Sequence, residues 1–310
     1  MIIHTMTTKL EGVVPLTHLG VIRVEGVDAA RFLQSQLTQD LTSLGPSQAR
    51  LAAYCNAKGR MLASFFALQR GPTEILLVCS RDLLADTVKR LSMFVLRAKA
   101  RLSEASADFA LYGLAGDAID SIAGDARAPW SKLDIGAASV VILPGVDSAS
   151  RGLWVAPVTE AAPTGISLSQ ETWLWGEVRS AIAMISAPIV DRFVPQMLNY
   201  ESVGGVSFKK GCYPGQEVVA RSQFRGTLKR RAYLAHSDEP MSAGDELFQI
   251  DDETQPCGSV AQAAKSPGGG FDAIVSMQIA AAGSAGLRLR TVNGPALSVA
   301  APPYPLLADL

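Results

Sequence analysis

The sequence predicts an α+β protein built from more than one packed unit and ending in a small antiparallel β-barrel. Three observations lead there. The chain has 310 residues and is 48% hydrophobic, enough for two or three cores. Its first third alternates short apolar runs with stretches of helical periodicity. After Arg231 the pattern becomes short, closely spaced strands between loops rich in Gly, Pro, Ser and Asp.

In chain order, residues 19–24 read as a strand. Asp28 then caps a helix in which Phe32, Leu33, Leu37 and Leu41 recur at helical spacing until Gly45-Pro46 stops it. Residues 49–70 form two apolar runs around Asn56-Ala57-Lys58-Gly59, a hairpin with its glycine near the turn. A strand over 74–79 leads into an amphipathic helix from Asp82, with Leu84, Val88, Leu91 and Val95 on one face, and another strand follows near 98–103. Three strands, a helix and a further strand are half of a ferredoxin-like split βαβ layout, so residues 49–107 are expected to form one α/β lobe. Strands follow near 109–114, 140–143 and 153–155. Residues 169–184 read as a helix that places Trp173 and Glu177, four apart, on the same side. Two prolines make 187–199 an extended strap. The barrel strands fall at 232–235, 246–250, 258–263, 273–279 and 287–291.

Composition narrows the function classes. No apolar run approaches the ~20 residues of a membrane span, and Met1 to Gly12 lacks the pattern of a secretory signal. The expectation is a cytoplasmic monomer without a membrane partner. Cys55, Cys79, Cys212 and Cys257 lie far apart with no C-x-x-C pair, which argues against a disulfide framework or a zinc knuckle. With only His4, His18 and His236, no protein-borne metal site is expected.

The densest chemistry is in Lys209-Lys210-Gly211-Cys212-Tyr213-Pro214-Gly215-Gln216-Glu217. Gly211 and Gly215 can take positive φ and Pro214 fixes its own, so the loop can present Cys212 at the tip of a tight turn. Lys209 and Lys210, if near the sulfur, would favour the thiolate; the same residues also suit an inert basic turn. From Phe208 to Arg231 there are seven basic residues against one acid, Glu217, and setting these aside leaves 21 basic against 28 acidic residues, a net of −7. This basic strip, including Arg221 and Arg225, suits a carboxylated cofactor, a phosphate or a nucleic-acid backbone, or is a solvated charged face. Val218, Val219 and Ala220 read as a short buried strand within it.

Phe193-Val194-Pro195-Gln196-Met197-Leu198-Asn199, the run from Gly204 to Glu217, Ala220-Arg221 and Phe224-Arg225-Gly226 together resemble the signature of the YgfZ family, folate-binding relatives of the glycine cleavage T-protein. A second block, residues 52–61, resembles that family's other recognisable hairpin. The resemblance implies three domains around a central hole: a T-protein-like unit of residues 1–48 plus 108–225, the lobe of 49–107 and a barrel of 226–310. It implies tetrahydrofolate or a related reduced folate as ligand, and a role in assembling or maintaining iron-sulfur clusters, including those of enzymes that thiolate tRNA. The partners so implied are iron-sulfur enzymes or cluster carriers, with tRNA or another anion at the basic strip.

Carried onto this chain, the resemblance makes Cys212 the functional thiol and a candidate transient cluster ligand. It makes Trp173, Leu19, Asn56, Lys58, Lys210, Tyr213, Gln216, Glu217, Arg221 and Arg225 candidates for ligand contact. Departures matter as well. The aspartate pair that follows the second hairpin in the aminomethyltransferases is here Ala63 and Ser64, which cannot handle protons as a carboxylate does. Their Glu-Ala-Gly is here Arg179-Ser180-Ala181, and arginine carries donors only. Leu19 stands where the family has a tryptophan. The leading expectation is therefore a helper without classical catalysis. A folate-dependent one-carbon transferase, an RNA-binding module and a thiol oxidoreductase are the alternatives, with Cys55 as the candidate resolving thiol for the last.

Overall fold

Apolar residues that alternate or run continuously give this chain sixteen strands among the described residues, 9–307 apart from 125–127, 226–227, 251, 253–254 and 285, of the computed structural model. In order, the chain forms β1 (Gly12–Pro15), β2 (Leu19–Glu25), α1 (Ala29–Gln34), β3 (Ala49–Cys55), β4 (Met61–Gly71), β5 (Glu74–Ser80), α2 (Leu84–Ser92) and β6 (Arg101–Glu104). Next come β7 (Phe109–Ala115), α3 (Asp117–Ala123), β8 (Lys132–Ile135), β9 (Ala138–Val146), β10 (Ala149–Pro157) and α4 (Gln170–Arg179). After a strap with two 3-10 turns follow α5 (Gln216–Phe224), β11 (Arg230–Ser237), β12 (Glu246–Gln249), β13 (Gly258–Lys265), β14 (Phe271–Gln278), β15 (Leu287–Leu289) and β16 (Ser298–Ala300).

These strands make three antiparallel sheets, with orders β1-β7-β10-β9-β8, β3-β4-β5-β2-β6 and β15-β12-β13-β14-β11-β16. In the second, β5 and β6 both run antiparallel to β2 between them, so β5-α2-β6 is the expected split βαβ unit. Its middle strand, however, comes from residues 19–25. The sheet thus crosses the boundary expected at residue 48, because β2 supplies the only hydrogen-bonding edge between β5 and β6.

The third sheet closes on itself. Residues 295–297 pair with β15, through Leu289 N to Pro295 O and Leu297 N to Leu287 O, and the next three residues form β16 on β11. This strand exchange removes the edges that an open sheet would expose. The barrel is as the turn-rich pattern predicted, with β16 in addition.

Three local expectations fail. The helix expected to run through Leu41 stops at Gln34, because the chain then turns to β3: Leu37 bridges Tyr54, and Thr38 N donates to Ala53 O at 2.9 Å. Asp28 does not cap α1; its carboxylate accepts from Lys99 N at 2.8 Å. Val218, Val219 and Ala220 are not a strand but lie in α5, where Glu217 and Arg221 form an i,i+4 pair at 2.6 Å. Three apolar residues are too few for periodicity to decide between the two.

Candidate ligand cavity and surface thiol

The helix carrying Trp173 begins at Ser169, whose side chain accepts from Thr172 N at 3.0 Å and so caps α4. Four residues of spacing bring Trp173 and Glu177 together, with Trp173 Nε1 donating to Glu177 Oε1 at 2.8 Å. Trp173 is fully buried against Gly113 of β7, where any side chain would meet its ring at 2.7 Å. The far side of α4 docks on the barrel: Trp175 Nε1 donates to Asp272 Oδ2 at 2.7 Å, and Gln262 Nε2 to Glu177 Oε2 at 3.1 Å.

Around these residues the three sheets leave a narrow hollow of only about 30 Å³. Leu19, Phe66, Trp130 and Leu153 make apolar walls, while Arg151, Glu177 and Gln262 supply the polar groups. Phe66 and Trp130 pack as an aromatic pair with centroids 5.8 Å apart. The few convergent polar groups among apolar walls have the chemistry of a small-molecule site, in a space smaller than a formed ligand pocket.

The polar groups define what would fit. Burial would raise the Glu177 pKa, but hydrogen bonding and charge from His18, the Arg151 charge and the Trp173 bond outweigh it and hold the carboxyl below its ordinary range. Its oxygens accept three bonds, from Trp173, His18 and Gln262, of about four that a carboxylate can take. Arg151 is 3% exposed and lies 4.6 Å over the Trp173 ring, yet its buried Nε has no hydrogen-bond acceptor among the described residues. Burial pushes its pKa down to about 10, against the pull of Glu177. A buried cation with an unpartnered N–H is costly, so these groups would be matched by an acceptor offered to Arg151 and an N–H offered to Glu177.

Of the residues expected to contact a ligand, Leu19 and Trp173 line this hollow and the others do not. Asn56 shapes its own turn, accepting from Lys58 N and Arg60 N at 2.8 and 3.1 Å and donating to Asp191 at 2.5 Å. Lys58 is exposed. Lys210 turns inward and donates to the carbonyls of Gln34 and Leu37 at the end of α1, the latter at 2.6 Å, with the buried Tyr213 ring 4.6 Å away. Burial pushes the Lys210 pKa down to about 8. It is a staple for the loop, not a cation for an external anion. Gln216 begins α5, and Glu217, Arg221 and Arg225 are exposed along it. Arg179 is at the surface, paired with Asp147 at 3.2 Å, so the cavity carboxylate comes from Glu177 two residues earlier.

Cys212 is exposed, whereas Cys55, Cys79 and Cys257 are buried. It lines a separate recess with Arg31, Phe94 and Arg97, sharing no lining residue with the hollow. Arg31 of α1 and Arg97 of the loop after α2 thus join Lys210, whose charge interacts with the thiol, around it. The loop is nevertheless rigidly placed. Gly215, at φ +80°, packs so tightly on the hairpin turn that a Cβ would lie 2.4 Å from Asn56 O, and Gly59 meets Val218 in return. The two sequence blocks that carry the family resemblance thus touch.

Sequence reasoning missed Arg151, His18 and Gln262. Arg151 was detectable as a charge two residues before Leu153 on an otherwise apolar strand, a spacing that points both to one face of the sheet. Gln262 had no comparable signal.

The three-sheet fold is one shared with a T-protein. The glycine cleavage system aminomethyltransferase T from Bartonella henselae superposes with a TM-score of 0.68 at 16% identity, over 96% of this chain and 87% of that one. The protein named tRNA-modifying protein YgfZ from Edwardsiella ictaluri is 32% identical over 91% of this chain and 89% of its own length. That of Cronobacter sakazakii is 31% identical over 82% and 80%, and that of Photorhabdus laumondii 27% over 94% and 92%. No family model matches the chain. On these relatives the chain belongs to the YgfZ family.

Proposed function

We propose that this protein is a folate-binding helper that supports iron-sulfur proteins, among them enzymes that thiolate tRNA, with a pterin held inside and Cys212 acting at the surface. The observation that carries the ligand half is Arg151, buried beside Glu177 and over Trp173, whose Nε has no hydrogen-bond acceptor among the described residues. In this reading Arg151 and Glu177 hold the polar edge of the ring, and Leu19, Phe66 and Trp130 enclose its apolar faces. A bound reduced folate supplies a one-carbon carrier. The positions that hold acids in the aminomethyltransferases do not use it here: Ala63 and Ser64 are both fully buried, and Ser64 Oγ accepts from Ile185 N at 2.8 Å.

Because the thiol and the hollow have separate linings, Cys212 is assigned to contact with a partner protein and not to the folate. The relatives' name, tRNA-modifying protein, supports a role upstream of modified tRNA. The test is complementation. In a strain lacking this protein, Cys212→Ala is expected to fail to restore thiolated tRNA nucleosides, measured by mass spectrometry, while the purified variant still binds tetrahydrofolate. Full restoration by Cys212→Ala would remove the thiol from the account.

A further inference from the structure

One recess takes no part in the function proposed above. It runs along α5, where Arg221, Arg225, Lys229 and Arg230 surround a floor that includes Val194 and Met197, and no carboxylate lines it. Arg221 lies in the last turn of α5 and Arg225 is its C-cap, with Arg225 N donating to Arg221 O at 3.0 Å, so the two border the same recess. Arg225 and Lys229 are exposed and form no ion pair with a described residue. The Arg221–Glu217 pair is exposed at both ends, 64% and 82%, and such a pair is weak enough to exchange for a phosphate. Arg230 donates to Cys257 O at 3.0 Å and to Pro256 O at 3.4 Å, which fixes its side chain at the edge of the groove.

Two neighbours extend this surface. Phe224, between the two arginines in sequence, is 50% exposed and is held edge-on by Phe208 with centroids 5.1 Å apart, which leaves an aromatic face at the groove's margin. Lys58 and Arg60 sit on the hairpin turn that packs against the N-terminal half of the same helix. The cations are spread along an open groove and do not converge on one enclosed point, which matches a polyanion better than a single phosphate.

We infer that this groove binds the phosphodiester backbone of an RNA, recognising phosphates and not base sequence. The choice of RNA over other nucleic-acid strands rests on the proposed role in tRNA modification; the groove chemistry does not. Folate-free protein is used for the test, so the result speaks to the groove independently of the cavity. Anisotropy of a labelled tRNA transcript is measured from about 50 to 300 mM KCl, and three to four phosphate contacts predict a log–log salt slope of about −2 to −3. Arg225→Glu/Lys229→Glu is expected to weaken binding at least about tenfold and to flatten the slope by about 1.4 to 1.8. The matched surface reversal Lys99→Glu/Arg101→Glu is expected to stay within about twofold, with circular dichroism showing both variants folded. No binding at the lowest salt, or equal loss in both variants, would overturn the inference. So would a groove variant that keeps tRNA binding but loses a preference for polyglutamylated over monoglutamylated folate, since the groove would then hold a glutamate tail.

Discussion

Trp173 and Glu177 show how far single residues can be read. Their spacing on one helix face is visible in the sequence, and they meet as that spacing requires. What the spacing cannot show is the company they keep: His18, Arg151 and Gln262 arrive from three other segments far away in the chain. Because the Glu177 pKa is lowered on folding, the unfolded chain takes up its proton first as pH falls. Its contribution is fully present above the ordinary value of 4.5 and is lost as pH drops through the folded pKa. Urea midpoints are therefore expected to fall more steeply below pH 4.5 in the wild type than in Glu177→Gln. The thiols separate just as clearly. Burial pushes Cys55 and Cys79 up to about 12 and also raises Cys257, while Cys212 is open to solvent. One thiol per chain, absent in Cys212→Ala, is expected to react quickly with a colorimetric disulfide reagent, and the other three only after denaturation.

At the scale of elements, strands were the more legible. β3, β4 and β5 fall where apolar runs and the hairpin glycine put them, because strand identity depends on local patterning that packing then reinforces. Helix ends were less so. The apolar spacing of Leu37 and Leu41 continues past the end of α1, but pairing with β3 and the Lys210 staple satisfy those backbone groups in another way. The Glu217–Arg221 pair was the sign that 216–224 is a helix, and it lay inside a stretch read chiefly for its charge. The join between that helix and the hairpin turn gives a direct test. Gly215→Ala must hold a side chain at φ +80° and displace Asn56 O. A loss of about 2 kcal/mol or more is expected in chemical denaturation, well beyond the ~1 kcal/mol of a glycine replaced without a clash. Lys210→Met leaves the Gln34 and Leu37 carbonyls without their donor and is expected to cost about 1–3 kcal/mol while speeding alkylation of Cys212 as its loop loosens.

For the whole molecule, the barrel and the split βαβ unit could be anticipated from turn chemistry and element order, but the way the sheets share strands could not. β2 (Leu19–Glu25) precedes both β5 (Glu74–Ser80) and β6 (Arg101–Glu104) yet inserts between them, a long-range pairing that no local pattern encodes. The hollow is a product of that arrangement: β2, β4, β9, β10, α4 and β13 each contribute a wall residue, so it exists only when all three sheets are assembled. The central claim is that its buried, acceptor-seeking Arg151 and its Glu177 were kept for a pterin. Isothermal titration with tetrahydrofolate tests this most directly. Losing a charge-assisted hydrogen bond costs about 1.5–3 kcal/mol, so Arg151→Met and Glu177→Gln are each expected to weaken binding by about 10- to 100-fold. A wild-type protein that binds no reduced folate, or variants that bind it as tightly as the wild type, would contradict the account.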